Sequence, residues 1–137
     1  MPPPSSELAA VPDILGELME LRSRIPQLTG GLVATVDGLV VAHDTDGVEP
    51  DGVAALTAAA LGVGARLAEA TGQGTFLELL TRGEHGYIAT YAAGASTVLT
   101  LFAGPEVNVG LLQFEARRSG PRIAQFTDAA LRRSAGA

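Results

Sequence analysis

The spacing of apolar residues in the first part of the chain predicts a helix. Pro12 suits the first turn of this helix and Pro26 stops it. Between them, large apolar residues recur three or four positions apart, as on one face of a helix. These residues are Leu15, Leu18, Leu21 and Ile25.

The next segment changes to short β-branched runs, which predict a β-hairpin. Residues 31–36 and 39–43 form the two runs, and Asp37-Gly38 joins them. This dipeptide suits a type I′ turn, the turn that matches the twist of paired strands. We therefore expect two antiparallel strands after the first helix.

A long helix, three further strands and a closing helix complete the predicted order. The long helix runs from about residue 51 or 52 to residue 71, with Asp51 as its cap and Gly72 after its end. Strands are predicted at residues 75–81, 87–93 and 96–104, separated by glycine-containing turns. Asn108 suits the cap of the last helix, which Gly120-Pro121 should kink or briefly break. One side of that helix carries Val109, Leu112, Ala116, Ile123 and Phe126.

This order, α-β-β-α-β-β-β-α, predicts an α+β domain. Strands joined by hairpins form a mainly antiparallel sheet, and helices must cover its apolar faces. The 137 residues suffice for one domain, which we expect at residues 12–133. A proline-rich flexible segment at residues 1–11 and a disordered tail at residues 134–137 should flank it.

The long central helix has two apolar faces, which predicts two packing partners. The first face, here called the ridge, consists of Leu56, Ala60, Val63 and Leu67. The second face, here called the strip, consists of Ala55, Ala59, Gly62 and Arg66. We expect the ridge to pack on the domain's own sheet and the small residues of the strip to admit a second helix at close range. The alternative is a monomer in which this helix is simply enclosed.

Composition narrows the class of partner. Apolar residues make up 47% of the chain and charged residues 18%, as in a globular protein, and the net charge is −6. An acidic chain is a poor ligand for a nucleic-acid backbone, so no nucleic-acid partner is expected. No uninterrupted apolar run reaches the length of a membrane span, and the first residues, MPPPSSELAA, lack the pattern of a signal peptide. A cytoplasmic location without a membrane span is the resulting prediction.

The inventory of reactive side chains is small. The chain has no cysteine, and neither His43 nor His85 has the spacing of a metal-ligand pair. Arginines could in principle be supplied to a phosphate site, but the usual role of a surface arginine is solubility; the candidates are Arg66, Arg82, Arg117 and Arg118. We therefore expect no catalytic residue, no cofactor-binding residue and no metal ligand.

Two stretches give the chain a resemblance to a known family. IPQLTGGLVATVDGLVVAHD contains Ile25-Pro26, then Gly30 or Gly31, then Asp37-Gly38 followed by apolar Leu39, Val40 and Val41. VLTLFAGPEVNVGLLQFEARR contains an apolar strand, a short turn and then Asn108 and Gly110 at the start of a helix. In this order, over about residues 12–132, the motifs resemble the roadblock/dynein-light-chain family. The residue usage is similar to that of actinobacterial members encoded beside small Ras-like GTPases.

The resemblance implies a three-layer, profilin-like domain, with a five-stranded sheet between one helix and two. It also implies a homodimer that forms through the second helix and third strand. The corresponding residues here are Ala55, Ala58, Ala59, Gly62, Arg66, Thr75, Leu77 and Leu79.

The same resemblance implies a non-catalytic regulator or scaffold that binds a small Ras-like GTPase. A sensor-kinase-like protein from the same gene cluster is a further partner that it implies. Two alternatives remain open: a small-molecule sensor domain, which needs a cavity with convergent polar groups, and an enzyme, which needs a cluster of titratable groups in a cleft.

Overall fold

The computed structural model describes the backbone of residues 6–136 and the side chains of residues 11–129. Its helices are α1 (Ser6–Arg24), α2 (Pro50–Ala70) and α3 (Val109–Gly136). Its strands are β1 (Leu28–Thr35), β2 (Val40–Asp44), β3 (Glu78–Gly83), β4 (Gly86–Ala92) and β5 (Thr97–Ala103). The predicted order of elements is therefore confirmed.

The ends of the chain are more helical than the sequence suggested. Helix α1 begins at Ser6, so Pro12 lies inside the helix and not in its first turn. The predicted flexible segment 1–11 overlaps α1 at residues 6–11, and residues 1–5 lie outside the described part. Helix α3 extends to Gly136, so the predicted tail overlaps it at residues 134–136, and residue 137 lies outside.

The first hairpin forms as predicted, but its turn is of another type. The Gly38 amide donates to the Thr35 carbonyl at 2.9 Å, and the Thr35 amide donates to the Leu39 carbonyl at 2.8 Å. Gly38 has φ +90°, whereas Asp37 is not left-handed. The prediction of a type I′ turn is wrong, because that turn needs positive φ at both central residues. A type I turn followed by a left-handed glycine closes the hairpin instead.

The five strands form one antiparallel sheet in the order β2-β1-β5-β4-β3. Strand β5 lies in the middle, since it pairs with both β1 and β4. Strands β2 and β3 form the two edges. Strand β3 starts at Glu78, three residues later than predicted, so Thr75 and Leu77 precede the strand and Leu79 lies within it.

Helices α1 and α3 cover one face of the sheet and enclose the main core. Residues from both helices and from every strand but β3 are buried together there. The largest fully buried side chains on the helices are Ile14, Leu18, Leu21, Leu112 and Ile123. The Asn108 side chain accepts a hydrogen bond from the Leu111 amide at 3.0 Å, which confirms the predicted cap of α3. Of the kink or break predicted at Gly120-Pro121, the break is wrong, since α3 continues through Pro121, and the kink stays a prediction.

Helix α2 alone covers the opposite face. Ala54 packs there against Leu32 and Ala34 of β1. The cap is Glu49, whose carboxylate accepts a hydrogen bond from the Gly52 amide at 2.6 Å. The predicted cap, Asp51, lies instead in the first turn of the helix. The negative charge of its side chain interacts favourably with the positive end of the helix dipole there.

Helix α2 turns small residues toward the sheet, contrary to prediction. Its buried residues are Ala54 and Thr57, whereas the large residues of the ridge point away from the sheet. The expectation that the ridge packs on the domain's own sheet is therefore wrong. Small residues let the helix backbone lie close to the strands, which leaves both predicted apolar faces uncovered in the protomer.

Within residues 6–136, α2 is the one helix long and apolar enough to cross a membrane by length and composition. The most apolar window of 18 residues has a mean hydropathy of 1.4, and 11% of it is buried. Core and interface helices meet the same criterion. In this structure α2 packs on the sheet through Ala54 and Thr57.

Candidate interaction surface

The strip on α2 is open to solvent along its length. Ala55, Ala59, Gly62 and Arg66 are all exposed, whereas Ala58, the fifth helical residue of the predicted interface, is half-buried. A Cβ atom added at Gly62 would meet nothing within 4 Å. A shallow hollow of about 250 Å³ lies here, lined by Ala59, Gly62, Arg66 and the neighbouring Val63.

The ridge beside it is also exposed, and it carries the larger side chains. Leu56 is 71% exposed, Val63 66% and Leu67 64%. The burial of a side chain of this size contributes about 1.5–3 kcal/mol, so three of them in water are a substantial uncovered apolar surface. Sequence reasoning missed the ridge as a candidate site, because it assigned large residues to the sheet and small residues to a partner.

A groove connects the ridge to the segment that enters β3. It has a volume of about 750 Å³ and runs between the second half of α2 and residues 73–79. Leu67 forms part of one wall, and Thr75, Leu77 and Leu79 form part of the other. The structure thus brings the three predicted interface residues around β3 together with Leu67 of the ridge, whereas none of the four residues of the strip lines this groove.

Gly64 explains why the second half of α2 can approach this segment. A Cβ at Gly64 would lie 2.5 Å from an edge carbon of the Phe76 ring. That distance is shorter than van der Waals contact, so the ring occupies the space that any other side chain would take. The two glycines in the middle of α2 therefore differ in role: Gly64 receives an aromatic ring, and Gly62 faces open space.

Strand β3 is an open edge with an apolar surface. Every residue of the strand after Glu78 is exposed. Leu77 just before the strand is 72% exposed, and Leu79, Leu80 and Ile88 of the β3–β4 hairpin are also exposed. Unpaired backbone groups next to exposed leucines are a template for pairing with another strand.

A small polar cluster closes the end of the groove. The Glu78 carboxylate accepts one hydrogen bond from Arg117 Nε at 2.9 Å and another from Gln113 Nε2 at 3.2 Å. Burial, and then the nearby Glu78 carboxylate, raise the pKa of Tyr91 to about 12. The hydrogen bond with Glu78 raises the pKa of Arg117. Glu78 is thus satisfied by Arg117 and Gln113, and Glu78 and Arg117 form an ion pair of the kind that stabilises a fold.

The remaining reactive side chains do not converge. His43 Nδ1 lies 2.9 Å from Thr45 Oγ1 on the β2 side, whereas His85 lies in the β3–β4 turn at the other edge of the sheet. In the part of the chain that the structure describes, no three His, Asp or Glu residues are grouped to hold a metal ion. Over the same residues, Arg66 and Arg82 form no ion pair, whereas Arg117 pairs with Glu78.

Known proteins share both the sequence pattern and this fold. Residues 14–103 match the family described as the Roadblock/LC7 domain. The uncharacterized protein MJ0310 of Methanocaldococcus jannaschii is 33% identical over 107 residues, which is 77% of this chain and 92% of that protein. A solved structure described as MglB with tetrameric arrangement superposes with a TM-score of 0.83 at 21% identity, covering 89% of this chain and 93% of that one.

The Roadblock/LC7 domain of Streptomyces avermitilis superposes with a TM-score of 0.71 at 22% identity, covering 85% of this chain and 95% of that one. At these identities the two solved structures establish the fold, and the family match over 90 of the 137 residues establishes the relationship. The chain belongs to the Roadblock/LC7 domain family.

Proposed function

We propose that this protein is a non-catalytic homodimer that binds a small Ras-like GTPase and regulates its nucleotide cycle or its recruitment. The observation that carries the proposal is the continuous apolar surface formed by α2 and the open β3 edge. In an isolated protomer this apolar surface stays in water and adds no hydrophobic stabilisation. Its open strand edge can also pair with other chains and aggregate.

A second copy of the chain is a suitable cover for this surface. Most homo-oligomers have two-fold symmetry, so the same patch on each protomer meets itself. Pairing of the β3 edges would join two sheets and remove the open edge from each. The tetrameric arrangement described for an MglB structure supports self-association in a protein with this fold.

The GTPase partner follows from the family. Roadblock proteins are generally regulatory and non-catalytic, and the resemblance set out above includes binding to small Ras-like GTPases. In this protomer the charged side chains near the groove are engaged with each other, as in the Glu78–Arg117 pair. We therefore propose that any effect on GTP hydrolysis arises from positioning of the partner's own switch residues. A cytoplasmic location and a sensor-kinase-like partner belong to the same proposal.

A second candidate function is small-molecule sensing, and the groove beside Phe76 favours it. Its volume of about 750 Å³ falls in the usual range for ligand sites. Its two charged residues, Glu78 and Arg117, are already paired. Gln73 and Thr75 also line the groove, but both are exposed. Because a sensor site encloses its ligand around a few convergent polar groups, the interaction surface remains the preferred function.

The test is the solution mass by light scattering over a dilution series, first for the protein alone and then with the Ras-like GTPase encoded nearest to its gene. The GTPase is loaded with GDP in one series and with a non-hydrolysable GTP analogue in the other. We expect a dimer that persists on dilution and a larger complex in at least one nucleotide state. A monomer would contradict the homodimer, and a dimer that binds the GTPase in neither state would contradict the partner.

A further inference from the structure

We infer that the outer face of α1 and α3 binds a second protein partner, through an acidic segment of that partner that also carries an apolar residue. This face, here called the basic face, consists of Arg24, Phe114, Arg118 and Arg122. It lies on the side of the sheet opposite to α2, so a homodimer formed through α2 and β3 leaves it in contact with solvent. The inference goes beyond the proposed function and does not depend on it.

Exposed charges are divided unevenly over the molecule. On α1 and α3, among the side chains that the structure describes, five arginines are exposed but only two acidic residues, Asp13 and Glu20. The arginines are Arg22, Arg24, Arg117, Arg118 and Arg122. In the rest of the described chain, two arginines and seven acidic residues are exposed. A chain with a net charge of −6 thus presents a positive surface on this layer.

Two buried carboxylates hold the arginines of the basic face from beneath. Glu17 Oε1 of α1 lies 3.2 Å from Arg122 Nε of α3. Glu115 of α3 lies 3.8 Å from Arg24 Nη1 of α1 and 3.7 Å from Arg118 Nη1. The two glutamate side chains are only 4% and 8% exposed, whereas Arg118 and Arg122 are 53% and 52% exposed. A partner therefore contacts guanidinium groups, and their fixed positions reduce the entropy lost on binding.

The guanidinium groups retain hydrogen-bonding capacity for a partner. Within the described residues, Arg118 donates no hydrogen bond, and the terminal nitrogens of Arg122 donate none either. The planar fork of an arginine binds a carboxylate through two parallel hydrogen bonds. The carboxylates of a partner can therefore bind here without breaking the ion pairs that hold the arginines.

Phe114 adds an apolar contact next to the arginines. It is 57% exposed, and the central carbon of the Arg118 guanidinium lies 5.8 Å from the centre of its ring, a cation–π contact. Phe114, Arg118 and Arg122 follow one another at intervals of four residues, so they form a row along α3 with a spacing of about 6 Å. A partner helix with an apolar residue and two carboxylates at the same interval presents a matching row.

The net charge favours a short acidic segment over an extended polyanion. Charges are screened over about 8 Å at physiological ionic strength. A segment that covers one row of side chains interacts mainly with the local arginines, whereas a nucleic acid or an anionic membrane also faces the acidic remainder of the chain. Phe114 beside arginines also suits a protein partner, because both residue types are enriched at protein–protein interfaces.

Binding of a synthetic helical peptide tests the inference. The probe is a fluorescein-labelled, alanine-rich peptide with leucine, glutamate and glutamate at intervals of four residues, and the control peptide has glutamine in place of both glutamates. Fluorescence anisotropy with the full chain measures both affinities at low and at high salt. We expect the glutamate peptide to bind about tenfold more tightly at low salt, and the difference to shrink at high salt. Equal affinities at low salt would overturn the inference.

Two charge reversals locate the binding. Arg118→Glu alters the basic face, and Arg82→Glu makes the same change in charge at an exposed position on β3. Circular dichroism checks that both variants fold. We expect Arg118→Glu to weaken binding of the glutamate peptide by about tenfold or more, and Arg82→Glu by less than about twofold. Equal weakening would show that net charge attracts the peptide, and it would overturn the inference.

Phe114→Ala separates the apolar contact from the charges. It should weaken binding of the glutamate peptide by about fivefold, because the leucine of the peptide loses its contact, and it should leave the salt dependence unchanged. An unchanged affinity would overturn the assignment of Phe114 to the partner.

Two further measurements distinguish other occupants of the basic face. Sedimentation with phosphatidylcholine vesicles that contain about 30% phosphatidylserine, without binding of the glutamate peptide, would overturn the protein partner and assign the face to a membrane. Arg118→Glu should leave the solution mass of the homodimer and of its GTPase complex unchanged. Loss of the GTPase complex in this variant would assign the basic face to the GTPase and overturn the inference of a second partner.

Discussion

The two faces of the sheet are covered in opposite ways. On one face, α1 and α3 bury large aliphatic side chains such as Leu18 and Leu112. On the other face, α2 buries Ala54 and Thr57 and leaves Leu56 and Leu67 largely exposed. The first layer is a hydrophobic core complete within the protomer. The second layer leaves its large residues exposed in the protomer.

Polar groups show the same contrast. Between α1 and α3, the buried Glu17 carboxylate accepts a hydrogen bond from Ser119 at 3.1 Å and pairs with Arg122 at 3.2 Å. Such groups fix the relative position of two helices, because a misplaced carboxylate would lose its partners in a dry site. Thr57 of α2, by contrast, bonds only to the carbonyl of Ala54 in its own helix. The position of α2 therefore depends on apolar contact and on the approach that small residues allow.

Substitution of a large residue in the α1–α3 layer should have the largest effect. Leu18→Ala leaves a cavity in the core, and we expect a loss of about 2–5 kcal/mol in the free energy of unfolding. Urea unfolding followed by circular dichroism measures it. Leu56→Ala is the control on α2: it should leave the stability of the dilute protomer nearly unchanged and weaken the dimer. Equal losses of protomer stability would show that the two layers do not differ as described.

Removal of the buried carboxylate should have the next largest effect. Glu17→Ala deprives Ser119 of its acceptor and leaves a void between α1 and α3. We expect a loss of about 1–3 kcal/mol in the free energy of unfolding, the usual cost of an unsatisfied buried group. Glu17→Gln retains the volume and an acceptor for Ser119, so its loss should be smaller. An unchanged midpoint of urea unfolding for Glu17→Ala would show that the carboxylate has no structural role.

The sequence specified the α1–α3 layer better than the α2 layer, for a physical reason. In α1 and α3, large residues at helical spacing alternate with charged ones, so one face alone can be buried. Of the four residues predicted on that basis, Leu18, Leu21 and Ile25 are buried, whereas Leu15 is half-buried. In α2 almost every residue is apolar, and the pattern does not show which side meets the sheet. The deciding contact, the Phe76 ring against Gly64, joins residues twelve positions apart and leaves no periodic signal.

The candidate site was predictable in part for the same reason. Leu77, just before β3, and Leu79, within it, are exposed, as an interface requires, and the family resemblance implied an interface on α2 and β3. The identity of the α2 face depended on the rotation of the helix about its axis. The large side chain of Leu56 suggested that this residue would face the sheet. In the structure α2 lies so close to the sheet that the small Ala54 faces it instead.

The two central glycines of α2 provide a smaller and more local comparison. Gly62→Ala adds a methyl group in open space and removes the entropic cost of glycine in a helix, so we expect a gain of about 0.5–1 kcal/mol in the free energy of unfolding. Gly64→Ala receives the same helical benefit but must displace the Phe76 ring. Its stability should not rise. Thermal melts of the two variants at equal protein concentration measure the difference, and an equal gain for both would contradict the contact with Phe76.

The smallest effect at neutral pH concerns the polar cluster that joins α3 to β3. The pKa of Tyr91 is raised from 10.0 to about 12 by burial and by the Glu78 carboxylate. The unfolded chain therefore releases this proton at lower pH than the folded chain. The contribution of Tyr91 to stability is complete below pH 10, falls as the pH rises from 10 toward 12, and is lost above that range.

Tyr91→Phe should accordingly remove part of the alkaline loss of stability, because no phenol remains to ionise. Urea unfolding at pH 9, 10 and 11 for the wild type and the variant measures the two slopes. Glu78→Gln is the control that separates the causes: it removes the nearby charge but retains the burial, so the slope should become only partly shallower. A Tyr91→Phe slope identical to that of the wild type would show that other groups cause the alkaline transition. The contact between α3 and β3 would then make no contribution to the pH dependence of the free energy of unfolding.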